Sequence, residues 1–201
     1  MPIAVAVMVG RGDIRVRRSS GLLTCVGLRS GACACLYDPA TLVAGMAHIT
    51  DLEPDSASPS RPGKYPGSGI EALIEAMERT GAHRGRIVAA LSGGALEVVH
   101  GAEDDVKTVE SRVCRAVLLE LDRQGITLVA SETGGREDRS TTLDPATGIV
   151  QVKWQSTGSQ VLCDLKNGKA PSTAWQDLLA STRRTDNSPV WSPEPAKVLS
   201  A

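Results

Sequence analysis

Residues 22–49 read LLTCVGL-RSG-ACACLY-DPAT-LVAGMAHI, and this stretch decides the fold. Three short apolar runs lie in it, at residues 22–28, 32–37 and 42–49, and segments rich in Gly, Ser, Pro and Asp separate them. Apolar runs of this length, bounded by turn-forming residues, are typical of buried β-strands. The stretch therefore predicts three consecutive strands in a sheet that is covered on at least one side.

The regions around this stretch alternate in the same way. Further apolar runs predict five strands, at residues 3–9, 86–91, 126–130, 141–143 and 149–154. The turn-rich segment 144–148 predicts that the last two form a hairpin. Two other stretches have apolar residues at helical spacing. They predict one helix that begins at Ser68 or Gly69 and ends at Gly81, and a second over residues 106–124.

This order of elements predicts the fold class and the domain boundary. Strands interrupted by two main helices indicate an α/β fold, a layered mixed sandwich with a sheet core, over residues 1–155. Residues 156–201 are predicted to form a C-terminal extension. Part of the extension is predicted to be disordered, because the chain from residue 182 onward is rich in Pro, Ser and charge without periodicity.

The composition excludes several classes of function. Lys and Arg number 22 against 23 Asp and Glu, so no basic excess exists to bind nucleic acid or a membrane surface. Aromatic residues make up only 2%, which argues against stacking on bases or sugars. The apolar segment 1–9 is too short for membrane insertion and lacks a cleavage pattern. Five cysteines, an odd number, predict free thiols and a cytoplasmic location.

Candidate chemistry is concentrated between Cys25 and His48. A cysteine paired with a histidine is a nucleophile and base that works at neutral pH. Cys33 and Cys35 also fit the simpler role of small buried hydrophobes. Their spacing differs from that of common zinc knuckles, so no metal or cofactor is implied. The turn at residues 92–94 fits neither a hydrolase elbow nor a phosphate loop, and it predicts close backbone packing beside the site.

Several motifs resemble those of one family in the same order. GLRSGACACLYDP at residues 27–39, followed by AGMAH at 44–48, resembles the nucleophile and histidine segments of CheD, the chemoreceptor glutamine deamidase family. The resemblance continues in PGKY, ALSGGA, TGG, RS and DPATG, at residues 62–65, 90–95, 133–135, 139–140 and 144–148.

The resemblance implies a layered α/β fold and a chemotaxis function. Such proteins are protein-glutamine glutaminases, hydrolases that convert glutamine side chains of methyl-accepting chemotaxis receptors to glutamate and release ammonia. A cysteine thiolate attacks the carboxamide, a histidine protonates the ammonia, and water cleaves the thioester. A threonine orients the histidine. The implied partners are the receptors and CheC, a phosphatase of the response regulator.

The chain departs from the family motif at the nucleophile. The family has Gly-Leu-Gly-Ser-Cys where residues 27–31 read GLRSG, so the nucleophile position is Gly31 and the preceding glycine is Arg29. The family's threonine position falls on Cys25, and His48 is retained.

Three alternatives follow from this departure. The chain is a non-catalytic binding module, or Cys25 acts as a displaced nucleophile, or Cys33 takes over. The last alternative requires a register shift, because two residues along a strand span about 6.6 Å. The predicted catalytic residues are His48 and Cys25. The predicted substrate-binding residues are Arg29, Ser30 and Gly31, with Ser30 and the backbone amides near Gly31 holding the amide oxygen.

Overall fold

A computed structural model of the chain describes residues 6–29, 31–52, 61–94, 109–135 and 137–169, with the side chains of 109–111 left aside. Neither helix within these residues is long and apolar enough to cross a membrane. Some predicted features lie outside the described residues. They are residues 3–5 of the first strand, residues 106–108 of the second helix, Ser30, and the extension from residue 170 onward.

The first sheet, called sheet A, has five strands. In spatial order they are β1 (Ala6–Met8), β3 (Leu22–Leu28), β8 (Arg139–Leu143), β9 (Ile149–Trp154) and β10 (Gly158–Asp164). β1 pairs in parallel with β3, and the other pairs are antiparallel. β8 and β9 form the predicted hairpin, so that prediction is confirmed.

The second sheet, called sheet B, also has five strands. In spatial order they are β2 (Ile14–Arg18), β5 (Val43–Ile49), β4 (Ala32–Asp38), β6 (Val88–Gly93) and β7 (Thr127–Thr133). Only β6 and β7 pair in parallel. Every residue of β4 and β5 is buried, which explains why both read as continuous apolar runs rather than as alternating ones.

The helices α1 (Pro66–Arg79) and α2 (Val109–Arg123) pack on sheet B. Gly45 of β5 allows the close approach of α1, since an added Cβ there would lie 2.7 Å from the Met77 sulfur and 2.8 Å from a Leu73 methyl carbon. The buried face of α1 carries Ile70, Leu73, Ile74 and Met77. Together with two sheets of five strands, this arrangement confirms the mixed α/β sandwich.

The β4–β5 register determines which side chains face sheet A. Cys33 lies opposite His48, Cys35 opposite Met46, and Tyr37 opposite Ala44. Residues directly opposite each other point to the same face of a sheet. Apart from His48, these side chains share one buried apolar cluster with residues of β3, β8, β9 and β10. The other face of the two strands is directed toward the helices.

Two strands were not predicted, and the predicted start of one helix was wrong. β2 has the sequence IRVRR and is an edge strand, so its pattern lacks the apolar run of a buried strand. β10 pairs with β9 and extends sheet A beyond residue 155, into the segment assigned to the extension, while the boundary itself stays a prediction. Helix α1 begins at Pro66 rather than at Ser68 or Gly69, because proline is favoured in the first helical position.

Candidate active site

His48 lies near the end of β5 and is 4% exposed. Its backbone is fixed on the β2 side, where His48 N donates a hydrogen bond to the carbonyl of Asp13 and Gly12 N donates to the carbonyl of His48. On the other side it pairs with Cys33 of β4. The imidazole is thus held on a strand that is paired on both edges, and it faces sheet A.

Gly31 lies directly against this imidazole. An added Cβ at Gly31 would be 3.1 Å from His48 Nε2 and 2.9 Å from the carbonyl oxygen of Ile49. The position to which the resemblance assigns the family nucleophile is therefore adjacent to the histidine ring, and it carries no side chain.

Cys25 brings a thiol to the same ring from the opposite sheet. It lies on β3 and is fully buried. A hydrogen bond from the Cys33 thiol lowers the pKa of Cys25, burial opposes this effect, and the imidazole of His48 lowers the pKa further, to about 6. The structure thus brings together the two residues predicted to be catalytic, although they belong to different sheets.

Cys33 lies on β4 and is also fully buried. Its sulfur is 3.9 Å from that of Cys35, so both thiols point to the same packed face. Since Cys33 is directly opposite His48, its use as a nucleophile needs no register shift in the β4–β5 pair. However, the neighbouring thiols Cys25 and Cys35, together with burial, raise the pKa of Cys33 well above its ordinary value. Cys33 is therefore held as a neutral thiol.

Two buried hydroxyl groups lie beside the thiols, a position that the sequence did not predict. Thr141 lies opposite Cys25 in sheet A, and Ser92 lies opposite Cys33 in sheet B. Thr141 Oγ1 donates a hydrogen bond of 2.8 Å to Ser92 Oγ, which links the two sheets. In the sequence, each strand has a hydroxyl residue at an inward-facing position. This pattern is common in sheets, so it does not by itself predict a functional residue.

The glycine pair after Ser92 packs against the backbone of Gly31. Gly94 N donates a hydrogen bond of 2.9 Å to the carbonyl of Gly31. An added Cβ at Gly93 would clash with that carbonyl oxygen, and Gly93 has a φ of +150°. The predicted role of residues 92–94 in close backbone packing beside the site is confirmed.

Arg29, predicted to bind substrate, extends to the surface. Its Nε lies 2.8 Å from Asp138 Oδ1, and both side chains are about half exposed. Asp138 also lines a pocket of about 270 Å³, together with Gly27 of β3 and Trp154 of β9. Neither Cys25 nor His48 lines this pocket. Ser30, the other predicted substrate-binding side chain, lies outside the described residues.

His48 has a ring nitrogen available for proton transfer. Nδ1 is buried and has no hydrogen-bond partner among the residues that the structure describes. An unsatisfied buried polar atom costs about 1–3 kcal/mol, so such atoms are rare. A thiol of lowered pKa beside an imidazole with an available nitrogen is an arrangement capable of nucleophilic acyl transfer.

Comparison with known proteins identifies relatives of this chain. The family model described as CheD chemotactic sensory transduction matches residues 51–154. A probable chemoreceptor glutamine deamidase CheD of Desulfitobacterium hafniense is 31% identical over 156 residues, which cover 78% of this chain and 98% of the relative. A second, from Thermococcus kodakarensis, is 35% identical over 158 residues, covering 77% and 96% respectively.

A third relative adds to the same assignment. The chemoreceptor glutamine deamidase CheD of Thermotoga maritima is 32% identical over 155 residues, covering 77% of this chain and 95% of the relative. Each of the three relatives is aligned over almost its whole length. The resemblance seen in the motifs is therefore confirmed, and the chain belongs to the CheD family.

Proposed function

We propose that this chain hydrolyses glutamine side chains of chemoreceptors to glutamate, with Cys25 as the displaced nucleophile and His48 as the base and acid. The observation that carries the proposal is the position of the buried Cys25 thiol beside the Cys33 thiol and the His48 imidazole, which lower its pKa. At neutral pH a thiol with such a pKa is mainly thiolate, the form that attacks carbon. The names of the relatives supply the substrate class.

The reaction begins when the Cys25 thiolate attacks the carboxamide carbon of a glutamine. The carbon–nitrogen bond then breaks, His48 gives a proton to the leaving nitrogen, and ammonia departs from a thioester on Cys25. Water, losing a proton to His48, attacks the thioester and releases the new carboxylate and the Cys25 sulfur. His48 thus acts first as an acid and then as a base.

The carboxamide oxygen needs hydrogen-bond donors where negative charge develops on it. Backbone amides near Gly31 and the side chain of Ser30 are the proposed donors, as expected from the motif. Donors of this kind are typically worth about 3–4 kcal/mol in the transition state. Gly93 and Gly94 support this role because they hold the backbone of Gly31 against β6.

The direct test is ammonia release from cytoplasmic receptor fragments, with the glutamine-to-glutamate change located by peptide mass spectrometry. Cys25→Ala and His48→Ala should each lower the rate about a thousandfold or more, because they remove the nucleophile or its base. Cys163→Ala is the matched control: this thiol is also buried in sheet A, but burial, with Cys35 and Asp164 nearby, raises its pKa to about 12. Wild-type activity in Cys25→Ala would refute the assignment.

A second candidate is a non-catalytic module that binds receptors or a CheC-like phosphatase. Two points favour it: the motif resemblance assigns the family's nucleophile position to Gly31, and Cys25 has no exposed surface. If it is correct, wild-type protein releases no ammonia, whereas Gly31→Cys, alone or with Arg29→Gly, gains activity. The added Cβ would lie 2.9 Å from the backbone carbonyl oxygen of Ile49, so the backbone must move to admit the thiol beside His48.

We also propose that the chain acts in the cytoplasm. All five cysteines are free thiols, which is typical of a reducing compartment. A CheC-like phosphatase remains a predicted partner. Pull-down with purified CheC, followed by measurement of its phosphatase rate, tests that prediction.

A further inference from the structure

Four thiols lie in the buried cluster between the sheets, and three of them, Cys25, Cys33 and Cys35, lie next to the candidate active site. Cys25 projects from sheet A, and Cys33 and Cys35 project from sheet B into the same buried cluster. The Cys33 sulfur is 3.9 Å from that of Cys35, and none of the three side chains has exposed surface. Within the described residues, no group of three or more metal-binding side chains is arranged to hold a metal ion. The proposed reaction uses only one of these thiols.

Cys25 and Cys33 lie next to each other across the two sheets, because Thr141 and Ser92, their partners in the strand pairs, are joined by a hydrogen bond of 2.8 Å. Cys33 and His48 lower the pKa of Cys25, whereas the neighbouring thiols raise the pKa of Cys33. Redox-active pairs combine one reactive thiolate, which meets the oxidant, with a second thiol that resolves the product. The observed asymmetry fits that division, with Cys25 as the attacking sulfur and Cys33 as the resolving one.

We infer that Cys25 and Cys33 are a peroxide-sensitive redox pair that closes a disulfide between the two sheets. This inference deepens the proposed function and rests on it for one consequence: the disulfide removes the proposed nucleophile and stops deamidation. The ligand class is a small hydroperoxide, with hydrogen peroxide as the simplest case.

The chemistry balances in two steps. The Cys25 thiolate attacks one peroxide oxygen, the oxygen–oxygen bond breaks, and hydroxide leaves, so that sulfur is oxidised to a sulfenic acid while peroxide is reduced. The Cys33 sulfur then attacks the Cys25 sulfur, and a sulfur–sulfur bond replaces the sulfur–oxygen bond. The departing hydroxide takes the Cys33 proton and leaves as water. The sum consumes two thiols and one peroxide and yields one disulfide and two waters.

Strand geometry favours Cys33 bonding to Cys25 rather than to Cys35. Cys33 and Cys35 are two residues apart on β4, which is paired on both edges, so their Cα atoms stay about 6.6 Å apart, near the upper limit for a disulfide. Cys25 has more freedom, because the β3–β8 register shifts between Cys25 and Leu28. Val26, within this irregular segment, is 45% exposed. We therefore place the movement that joins the Cys25 and Cys33 sulfurs on β3.

Peptide mapping of the full chain tests the linkage. The protein is treated with hydrogen peroxide, its remaining thiols are blocked with N-ethylmaleimide, and it is digested with trypsin. Cleavage after Arg29 separates Cys25 from Cys33 and Cys35. The expected result is an intact mass lower by two hydrogen atoms and a linked peptide pair that contains Cys25 and Cys33. A linkage between Cys33 and Cys35, or unlinked Cys25 at every peroxide dose, overturns the inference.

Matched serine variants identify the resolving thiol. Cys35→Ser should form the same linkage as wild type, whereas Cys33→Ser should form none and should accumulate a Cys25 sulfenic acid that dimedone traps. A linkage that persists in Cys33→Ser contradicts the inference. If Cys33→Ser fails to fold, the linked wild-type peptide and Cys35→Ser still decide the question.

Measuring activity separates this inference from the proposed function. Ammonia release should fall to the level of Cys25→Ala after oxidation and recover with dithiothreitol. A disulfide in a chain that never releases ammonia supports the redox pair and refutes the proposed deamidation. Ammonia release that persists without any linkage supports the proposed deamidation and refutes the redox pair.

Discussion

Cys25 and His48 show how strongly the reactivity of a side chain depends on residues far from it along the chain. The two are separated in sequence, lie on β3 and β5, and belong to different sheets. Because the Cys33 thiol donates a hydrogen bond to it and the His48 ring lies beside it, Cys25 is deprotonated more easily than a buried cysteine among carbon atoms. The reactivity of this sulfur is therefore a property of the packed site.

Ionisation of Cys25 should be visible in the folded protein. The far-ultraviolet thiolate absorbance of wild type, minus that of Cys25→Ala, should rise with a midpoint at a pH of about 6. The folded pKa lies below the ordinary 9.0. The resulting stabilisation is therefore complete above the unfolded pKa and is lost as pH falls through about 6.

The matched control for this titration is Cys163→Ala. The pKa of Cys163 is raised to about 12, so this substitution should leave the absorbance unchanged across the neutral range. A wild-type midpoint near 9 would mean that His48 and Cys33 do not act on Cys25.

At the scale of elements, the close approach of β4 and β6 depends on Gly93. Gly93→Ala should lower the free energy of unfolding by about 2–4 kcal/mol, because φ is +150° and the added Cβ would meet the Gly31 carbonyl. Urea denaturation measures the loss. Gly67→Ala in α1 is the control: its added Cβ would contact nothing within 4 Å, so stability should stay the same or rise slightly. Equal effects of the two substitutions would contradict this account.

The end of β4 is anchored by Asp38, a fully buried carboxylate. It accepts hydrogen bonds from the guanidinium of Arg86 and from the backbone amides of His83 and Ala40. Burial raises the pKa of Asp38, but these hydrogen bonds outweigh it and hold the pKa well below the usual 3.8. Asp38 therefore stabilises the fold at neutral pH, and the stabilisation is lost on acidification.

Asp38→Asn should lower the free energy of unfolding at neutral pH by about 1–3 kcal/mol, because a neutral amide is a weaker acceptor for these donors. The difference from wild type, measured by urea denaturation, should shrink as pH is lowered toward acid, where Asp38 itself becomes protonated. A difference that is constant with pH would show that the charge of Asp38 is not responsible.

The sequence predicted the strands with apolar runs, including the edge strands β1 and β7, and missed two edge strands with polar sequences. β3, β4 and β5 were predicted to within one residue, because each carries a run of apolar residues, and in β4 and β5 every residue is buried. β2 and β10 are edge strands, where one backbone edge and many side chains meet solvent, so their polar pattern resembles that of loops.

For the whole molecule, the site depends on the contact between the two sheets. The hydrogen bond from Thr141 to Ser92 joins them beside Cys25 and Cys33. Thr141→Val should lower the free energy of unfolding by about 1–3 kcal/mol, because it leaves the Ser92 hydroxyl without this buried donor. Thr141→Ser restores the hydroxyl and should recover most of the loss. Chemical denaturation compares the two, and equal losses would exclude the hydrogen bond as the cause.

The composition of the site was predictable only in part. The motif resemblance led to His48, Cys25 and Gly31, because these positions follow from local order along the chain. That Cys33 contacts Cys25, and that Ser92 meets Thr141, depends on how one sheet is placed on the other. Such contacts between distant residues leave no periodic signal in a single sequence.

The depth of the sulfur below the surface has a consequence for selectivity. Cys25 has no exposed area, so a carboxamide must enter the protein to be attacked. The side chain of asparagine is shorter than that of glutamine by one methylene group, and it would stop one carbon–carbon bond short of the sulfur. Discrimination between the two amides would then follow from the length of the side chain alone.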